Sequence, residues 1–354
     1  MFKSRVKSCL ATIAAVVGLG LAAEASAAQA NLAQLAALQG DTRQQSLVDG
    51  AKKEGEVTIY FAHPSIRAIA TAFTEKYGIK VNQWRSGSEG LLQRVMSESR
   101  GGKYSVDLVE NNAPEMEALH RESLLQRMES PLMAHLMPEA VPAHKEWVGI
   151  SIDMFVLGYN TQKIKKAELP TSWHDLLDPK WKGMLGVEAE DHAWFSYVLQ
   201  QLGKEEGSAL FRKMVATNDI VVRKGHSLLA QTVASAETPL AFSLYSWGAD
   251  QLKDKGAPIE RFNIGQPIAH FQGLGVMKEA PHPHAAVLFY DFVLSDGQKI
   301  ISDWHAIATH RDYDQDQKKV PIQFIDPVTA MDLNEERLRV FEDIFVKRST
   351  QSSR

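Results

Sequence analysis

Cysteine is almost absent from this sequence of 354 residues. The single cysteine, Cys9, lies near the start of the chain, at the beginning of an apolar run that is followed by the small-residue segment Ala25-Ser26-Ala27. If the chain is cleaved after residue 27, no thiol remains, which excludes disulfides, thiolate metal sites and cysteine nucleophiles. Any metal site in the rest of the chain must therefore use other ligands.

The sequence also lacks a hydrophobic run long enough to span a membrane. Its most apolar run covers about 13 residues, whereas a membrane-spanning helix needs about 20. Lys3, Arg5 and Lys7 precede this run, and the small residues before Ala28 follow it. This order predicts a secretory signal peptide over residues 1–27, so we expect the mature protein in the periplasm.

Two further classes of function find no support in the sequence. The formal net charge is −4, and no basic stripe with interleaved aromatic residues is present, which argues against nucleic-acid binding. The motifs Gly-x-Ser-x-Gly and His-Glu-x-x-His and the P-loop are missing as well. We therefore expect a binding protein without enzymatic activity or cofactor, and a secreted enzyme on the same scaffold is the competing hypothesis.

The regular part of the chain alternates strands with amphipathic helices. This alternation predicts an α/β fold with parallel sheets that are covered by helices on both faces. A chain of this length, with 44% hydrophobic residues, favours two compact units. We predict the crossings between them at residues 148–160 and 271–277, and strands at 57–62, 79–84, 106–110, 184–187, 220–222 and 240–243.

The most informative stretch is residues 169–194. Ser172 is a good N-cap with Asp175 three residues later, and Asp178-Pro179 ends the short helix. A short apolar strand follows. The pattern from Leu169-Pro170 to Gly183, LPTSWHDLLDPKWKG, resembles the second-lobe signature of family 1 extracellular solute-binding proteins, and most closely that of their ferric-iron-binding branch.

This resemblance implies a fold, a location and partners. The fold is the two-lobed type 2 periplasmic-binding-protein fold with a ligand cleft between the lobes; lobe 1 would comprise residues 28–155 and 266–354, and lobe 2 residues 156–265. The protein would be a monomer that delivers its ligand to an inner-membrane ABC permease and its ATPase. A binding module that presents its ligand to a membrane sensor is a second interpretation.

The candidate ligand contacts are the residues that follow each predicted strand, because parallel α/β sheets place ligands at the carboxyl ends of their strands. Each candidate also has a structural interpretation. Ser86 with Glu89, for example, fits a capping box. The candidates are His63, Arg85, Ser86, Ser88, Asn112, Asp191, His192, His226, Ser227 and Tyr245.

The cargo stays open between a metal ion and an anion. The ferric branch uses a histidine, a carboxylate and two adjacent tyrosines, a ligand set that suits Fe(III). By that analogy the metal ligands would be His63, Asp191, His192 and Tyr245, with Fe(III) bound as the transported ligand. However, the residue after Tyr245 is a serine, and Arg85 with Ser86 and Ser88 could hold a small organic or phosphorylated anion.

Overall fold

The computed structural model describes residues 32–313 and 321–346. The predicted signal peptide, residues 1–27, lies outside the described residues. Among the residues that are described, no helix combines the length and the apolar character needed to cross a membrane.

The elements of the first part of the chain alternate between helix and strand, as predicted. The predicted bounds of the strands here differ from the observed ones by no more than two residues. In chain order they are α1 (described over 32–37), α2 (Arg43–Glu54), β1 (Glu56–Phe61), α3 (Ile66–Tyr77), β2 (Lys80–Arg85), α4 (Ser88–Arg100), β3 (Leu108–Asn112), α5 (Ala113–Arg121) and β4 (Trp147–Asn160).

The remaining part of the chain continues the alternation and adds short elements that the sequence analysis missed. These are β8, β10, β11, α11 and α12, which are too short for a periodic pattern. The elements are β5 (Leu185–Glu188), α6 (His192–Leu202), α7 (Lys204–Asn218), β6 (Val221–Arg223), α8 (His226–Ala234), β7 (Leu240–Tyr245), α9 (Ser246–Asp254), β8 (Ile259–Phe262), β9 (Ile268–Val276), α10 (Pro283–Leu294), α11 (Asp296–Asp303), β10 (Ile307–Ala308), β11 (Gln323–Phe324), α12 (Pro327–Asp332) and α13 (Asn334–Phe341).

The described residues form two compact units, and the chain passes between them inside β4, inside β9 and after Asp296; the short segment 112–118 also belongs to the second unit. Residues after 296 belong to the second unit, whereas the predicted lobe 1 includes them. The boundaries of the two lobes therefore remain a prediction. The first unit contains residues 32–111, 119–148 and 274–296, and the second contains 112–118, 149–273, 297–313 and 321–346.

The first unit is built on a parallel sheet. Strand β1 pairs in parallel with β2 on one side and with β3 on the other. Helix α10 is buried along its apolar residues, and Phe289 packs edge-on against Phe73 of α3 with ring centroids 5.0 Å apart. The parallel pairing brings the carboxyl ends of β1, β2 and β3 to one edge, as predicted.

The second unit is mixed rather than parallel. Strand β5 pairs in parallel with β6 and β7, but β4 pairs antiparallel with β7, β8 and β10. The prediction of parallel pairing is confirmed for β5, β6 and β7, whereas β4, which was predicted only as an extended crossing between the units, pairs antiparallel. The physical reason is that β4 enters the unit as a long extended segment without a crossover helix, and antiparallel strands are common additions to an otherwise parallel sheet.

The stretch that carries the resemblance forms a compact lead-in to β5. The predicted capping box is present, with the Asp175 carboxylate accepting from the Ser172 backbone N–H at 3.0 Å, and it opens a 3-10 helix over Trp173–Leu177. Trp173 packs against Phe242 of β7 at 5.4 Å between ring centroids. This packing anchors β5, whose last residue, Glu188, lies at the carboxyl end of the parallel strands.

Candidate functional site

In the first unit, His63 lies directly after β1, with its backbone held by a buried carboxylate. The backbone N–H groups of Ala62 and His63 each donate to Oε2 of Glu110 at 2.9 Å. Nδ1 of the His63 ring lies 2.7 Å from Oγ of Ser65. The structure thus places a histidine and a carboxylate side by side at this edge, and His63 stays a predicted ligand.

The basic and hydroxyl candidates of the first unit lie at the end of β2 and the start of α4. Nε of Arg85 donates to the Ala62 carbonyl at 2.9 Å. Gly87 is the N-cap of α4 and no side chain caps this helix, so the capping box of Ser86 with Glu89 is not formed. Ser88 is the first helical residue.

In the second unit, Glu188, Asp191 and His226 form one cluster, which we call the acid–histidine cluster. Their ligand atoms all lie within 4.8 Å of one another. Nε2 of His226 is 3.3 Å from Oδ1 of Asp191, and the backbone N–H of Gly225 donates to Oε1 of Glu188 at 2.7 Å. Gly225 has φ of +99°, a conformation that side chains rarely adopt. Two carboxylates and one imidazole therefore converge.

The ring orientation of His226 follows from a backbone contact. Its Nδ1–H donates to the carbonyl oxygen of Ser243 at 3.1 Å. Because a carbonyl can only accept, the neutral imidazole carries its proton on Nδ1, and Nε2 is the nitrogen that faces Asp191. Ser243 itself has φ of +51° in the middle of β7, a strained conformation of the kind found near binding sites.

Tyr245 joins this cluster from the end of β7. Its phenol ring stacks on the His226 imidazole, with ring centroids 3.7 Å apart, and its hydroxyl is 3.0 Å from Nε2 of His270. Nδ1 of His270 lies 3.1 Å from the Phe271 carbonyl. The His270 ring is therefore protonated on Nδ1, so the Tyr245 O–H donates to Nε2.

Burial and neighbouring charges shift the pKa of Glu188, His226 and Tyr245. Burial, followed by the charge of Asp191, raises the pKa of Glu188 to about 7. Burial by itself lowers the pKa of His226, but the hydrogen bond and charge of Asp191, together with the charges of Glu188 and Asp153, outweigh burial and raise that pKa to about 9. Burial raises the pKa of Tyr245 well above its ordinary value. In the cluster without ligand, His226 is therefore an imidazolium at neutral pH.

A third buried carboxylate, Asp153, lies in the same unit as Glu188 and Asp191. Nε1 of Trp247 donates to it at 3.0 Å and Nε2 of Gln272 at 2.7 Å, and Gln272 also donates to Oδ1 of Asn112 at 2.8 Å. Burial raises the pKa of Asp153 to about 7. The predicted contact Asn112 therefore belongs to a polar network with Asp153.

The structure separates His192 from the residues it was predicted to join. Nε2 of His192 lies 2.6 Å from Oδ1 of Asn334, and His192 is not part of the acid–histidine cluster. Asp191 is the N-cap of α6 and His192 its first residue, and the two side chains point in different directions, Asp191 towards His226 and His192 towards Asn334. It is His226 that lies beside Asp191, and Ser227 follows His226 in the first turn of α8.

Sequence reasoning missed several residues of this region for an identifiable reason. Asp153 and His270 lie inside β4 and β9, and a search restricted to strand ends passes over them. Glu188 ends a strand and was not selected. Their signal is a charged or imidazole side chain inside an otherwise apolar strand, which is uncommon unless the group is paired.

Comparison with known proteins identifies the chain. Residues 109–323 match the family model described as bacterial extracellular solute-binding protein. The chain belongs to this family. Members bind solutes, which confirms the predicted binding role in place of the enzymatic hypothesis.

Individual relatives agree with the fold. The Fe(3+)-binding periplasmic protein of Serratia marcescens is 26% identical over 305 residues, which cover 81% of this chain and 89% of the relative. Among solved structures, iron-bound HitA from Pseudomonas aeruginosa superposes with a TM-score of 0.69 at 24% identity, covering 82% of this chain and 99% of HitA. AfuA from Actinobacillus pleuropneumoniae, with fructose-6-phosphate bound, gives 0.73 at 21% identity and the same coverage of both chains. The predicted α/β fold of periplasmic binding proteins is confirmed.

Proposed function

We propose that this protein is the periplasmic solute-binding component of an ABC importer and that its cargo is a metal ion, with ferric iron as the leading candidate. The family and the name of the Serratia relative support the role. The predicted signal peptide supports the location. The partners would be an inner-membrane permease and its ATPase.

The observation that carries the metal proposal is the acid–histidine cluster. Three ligand atoms of Glu188, Asp191 and His226 lie within 4.8 Å of one another, and Oδ2 of Asp191 is buried without a hydrogen-bond partner among the described residues. A buried carboxylate oxygen without a partner is unfavourable unless something else satisfies it. A bound cation would do so.

The donor types fit a hard cation. Carboxylate oxygens, a phenol oxygen from Tyr245 and one imidazole nitrogen are ligands that Fe(III) accepts. The metal ligands we propose are therefore Glu188, Asp191, His226 and Tyr245. This set keeps Asp191 and Tyr245 of the four residues chosen from sequence, replaces His192 by His226 and adds Glu188. His63, the fourth, lies in the first unit and stays a separate prediction.

The charge of the region favours a cation over an anion. Glu188, Asp191 and Asp153 can supply three negative charges against the single positive charge of His226. Lys224, a basic residue next to Gly225, forms an ion pair with Glu190 at 2.5 Å. A phosphorylated sugar is the second candidate, supported by the likeness to AfuA, which carries fructose-6-phosphate. It would rely on Arg85, Ser86 and Ser88.

A thermal-shift screen of the mature protein tests both cargoes. At a hundredfold excess over Kd, a ligand stabilises the folded protein by about 2.7 kcal/mol, which raises Tm by roughly 5 to 10 °C. We expect that shift with ferric citrate and not with fructose-6-phosphate. The opposite result would replace iron by the sugar phosphate, and no shift with any metal, sugar phosphate or carboxylic acid would count against the importer role. Metal analysis of protein from its native compartment is the independent check.

A further inference from the structure

The second unit contains a cavity that the proposed cargo does not use. It has a volume of about 610 Å³ and lies between α6 and the last described helices, α12 and α13. Its apolar wall includes Phe195, Leu199, Leu333 and Val340. Sites for small molecules are concave, largely apolar and of about this size, with few polar groups that fix orientation.

One of the two positively charged side chains that line this cavity, that of Arg337, forms no ion pair with any described residue. Arg337 is only 9% exposed, and its Nη1 is buried with no hydrogen-bond partner among the residues that the structure describes. Its guanidinium lies 5.5 Å from the ring centroid of Tyr197, another lining residue. Burying a guanidinium with an unsatisfied N–H is unfavourable unless an acceptor completes it.

A second residue of the cavity wall also carries a buried polar atom that has no partner among the described residues. His192 lines the cavity; its Nε2 contacts Asn334, while its Nδ1 is buried and, within the described chain, makes no hydrogen bond. The residue that the sequence analysis placed at the metal is therefore available to a different ligand.

The charge balance defines the ligand class. At the cavity rim, Lys204 forms an ion pair with Glu336 at 2.5 Å, so these two charges cancel. The guanidinium of Arg337 therefore gives the cavity, whose wall is largely apolar, one net positive charge. A guanidinium binds planar carboxylates with directed hydrogen bonds. A single charge matches a monoanion better than a doubly charged phosphate.

We propose that this Arg337 cavity is a second ligand site, which binds a small monocarboxylate with an apolar body. The carboxylate accepts from Arg337, and the apolar body contacts Phe195 and Leu199. The proposal is independent of the metal cargo, because none of the acid–histidine cluster residues lines the cavity.

Calorimetric titration of the mature, metal-free protein with 2-naphthoate, phenylacetate and octanoate tests the site. We expect at least one of these monocarboxylates to bind, and its neutral amide to bind more weakly. Arg337→Met should weaken binding on the order of ten- to a hundredfold, the usual effect of losing a charge-assisted hydrogen bond. Arg339→Met is the matched control, because Arg339 lies on the same helix but is exposed and paired with Glu335.

Two further measurements separate a ligand site from a structural arginine. Without ligand, Arg337→Met should melt at or above the wild-type Tm, since the substitution removes a buried group that lacks its partner. Leu333→Trp, at a position 40% exposed, should reduce binding by filling the cavity while leaving Arg337 intact. Binding of none of the three carboxylates, equal binding of acid and amide, or unchanged binding by both Arg337→Met and Leu333→Trp would overturn the proposal.

Discussion

The imidazole of His226 stacks on the phenol ring of Tyr245, with ring centroids 3.7 Å apart and an angle of 26° between the ring planes. The same imidazole reaches Asp191 through Nε2, and the phenol reaches His270 through its hydroxyl. Because the rings are in contact, a change in the charge of one ring shifts the pKa of the other.

Replacing Tyr245 by phenylalanine should abolish a visible phenolate-to-iron absorption band and weaken Fe(III) binding by more than about 100-fold, the upper range for losing an outer-shell partner. The measurement is a spectrophotometric iron titration. Tyr159→Phe is the control, because its phenol donates to Glu260 at 3.0 Å, outside the cluster. Arg85→Ala should have a smaller effect. Three results together would show that the site holds an anion: Arg85→Ala destroys binding, Tyr245→Phe leaves it intact, and no colour develops with iron between about pH 5 and pH 8.

The affinity for a metal should rise with pH. Coordination needs His226 neutral and Tyr245 ionised, yet the pKa of His226 is raised to about 9 by Asp191 against the effect of burial, and burial raises the pKa of Tyr245 well above its ordinary value. Binding therefore releases protons, so acidification opposes it. Competition titrations at several pH values measure the slope. A pH-independent affinity would contradict the proposed ligands.

Asp191→Asn should lower the pKa of His226 in the metal-free protein. Among the charges that raise the pKa of His226, Asp191 has the largest effect. Without Asp191, the lowering effect of burial is less opposed, so the pKa falls. An NMR titration of the histidine resonances gives the value directly. Asp250→Asn, which removes a partly exposed partner of Arg261, should leave the His226 pKa unchanged. A His226 pKa that stays near 9 without Asp191 would show that the pair is not the cause.

The stability of the first unit should depend on His282. Its pKa is raised above 6.5, chiefly by the hydrogen bond to the buried carboxylate of Asp107, 2.9 Å away. Because the folded-state pKa is raised, the stabilisation is fully present below about pH 6.5 and is lost as pH rises through the folded-state pKa. His282→Gln should remove this part of the pH dependence of the unfolding free energy in urea. An unchanged profile would mean that the histidine makes no net contribution.

Breaking the ion pair of Arg43 with Asp291 should strongly destabilise the protein. Both side chains are buried, at 6% and 5% exposure, and 2.9 Å apart, so Arg43→Met leaves a buried carboxylate without its counter-ion. The expected loss of unfolding free energy is about 3–5 kcal/mol. Lys76→Met is the matched control, because its pair with Asp296 is about half exposed and should contribute no more than about 1 kcal/mol. Similar losses for the two variants would refute the argument.

Local sequence patterns determined much of this protein. The alternation of strands and helices, the capping box at Ser172 and Asp175, and the position of Tyr245 at the end of β7 were all predictable, because each depends on residues within a few positions of one another. The same patterns also predicted that the candidate ligand-binding residues lie at the carboxyl ends of the strands.

Only the tertiary structure decided which of these side chains meet. It directs His192 towards Asn334 and brings His226 to Asp191, because the direction of a side chain depends on its position within a helix turn. His270 reaches Tyr245 from the middle of β9, and β4 pairs antiparallel with β7. These contacts join residues that are distant in sequence, and strand pairing and side-chain direction across such distances leave no periodic signal in the chain itself.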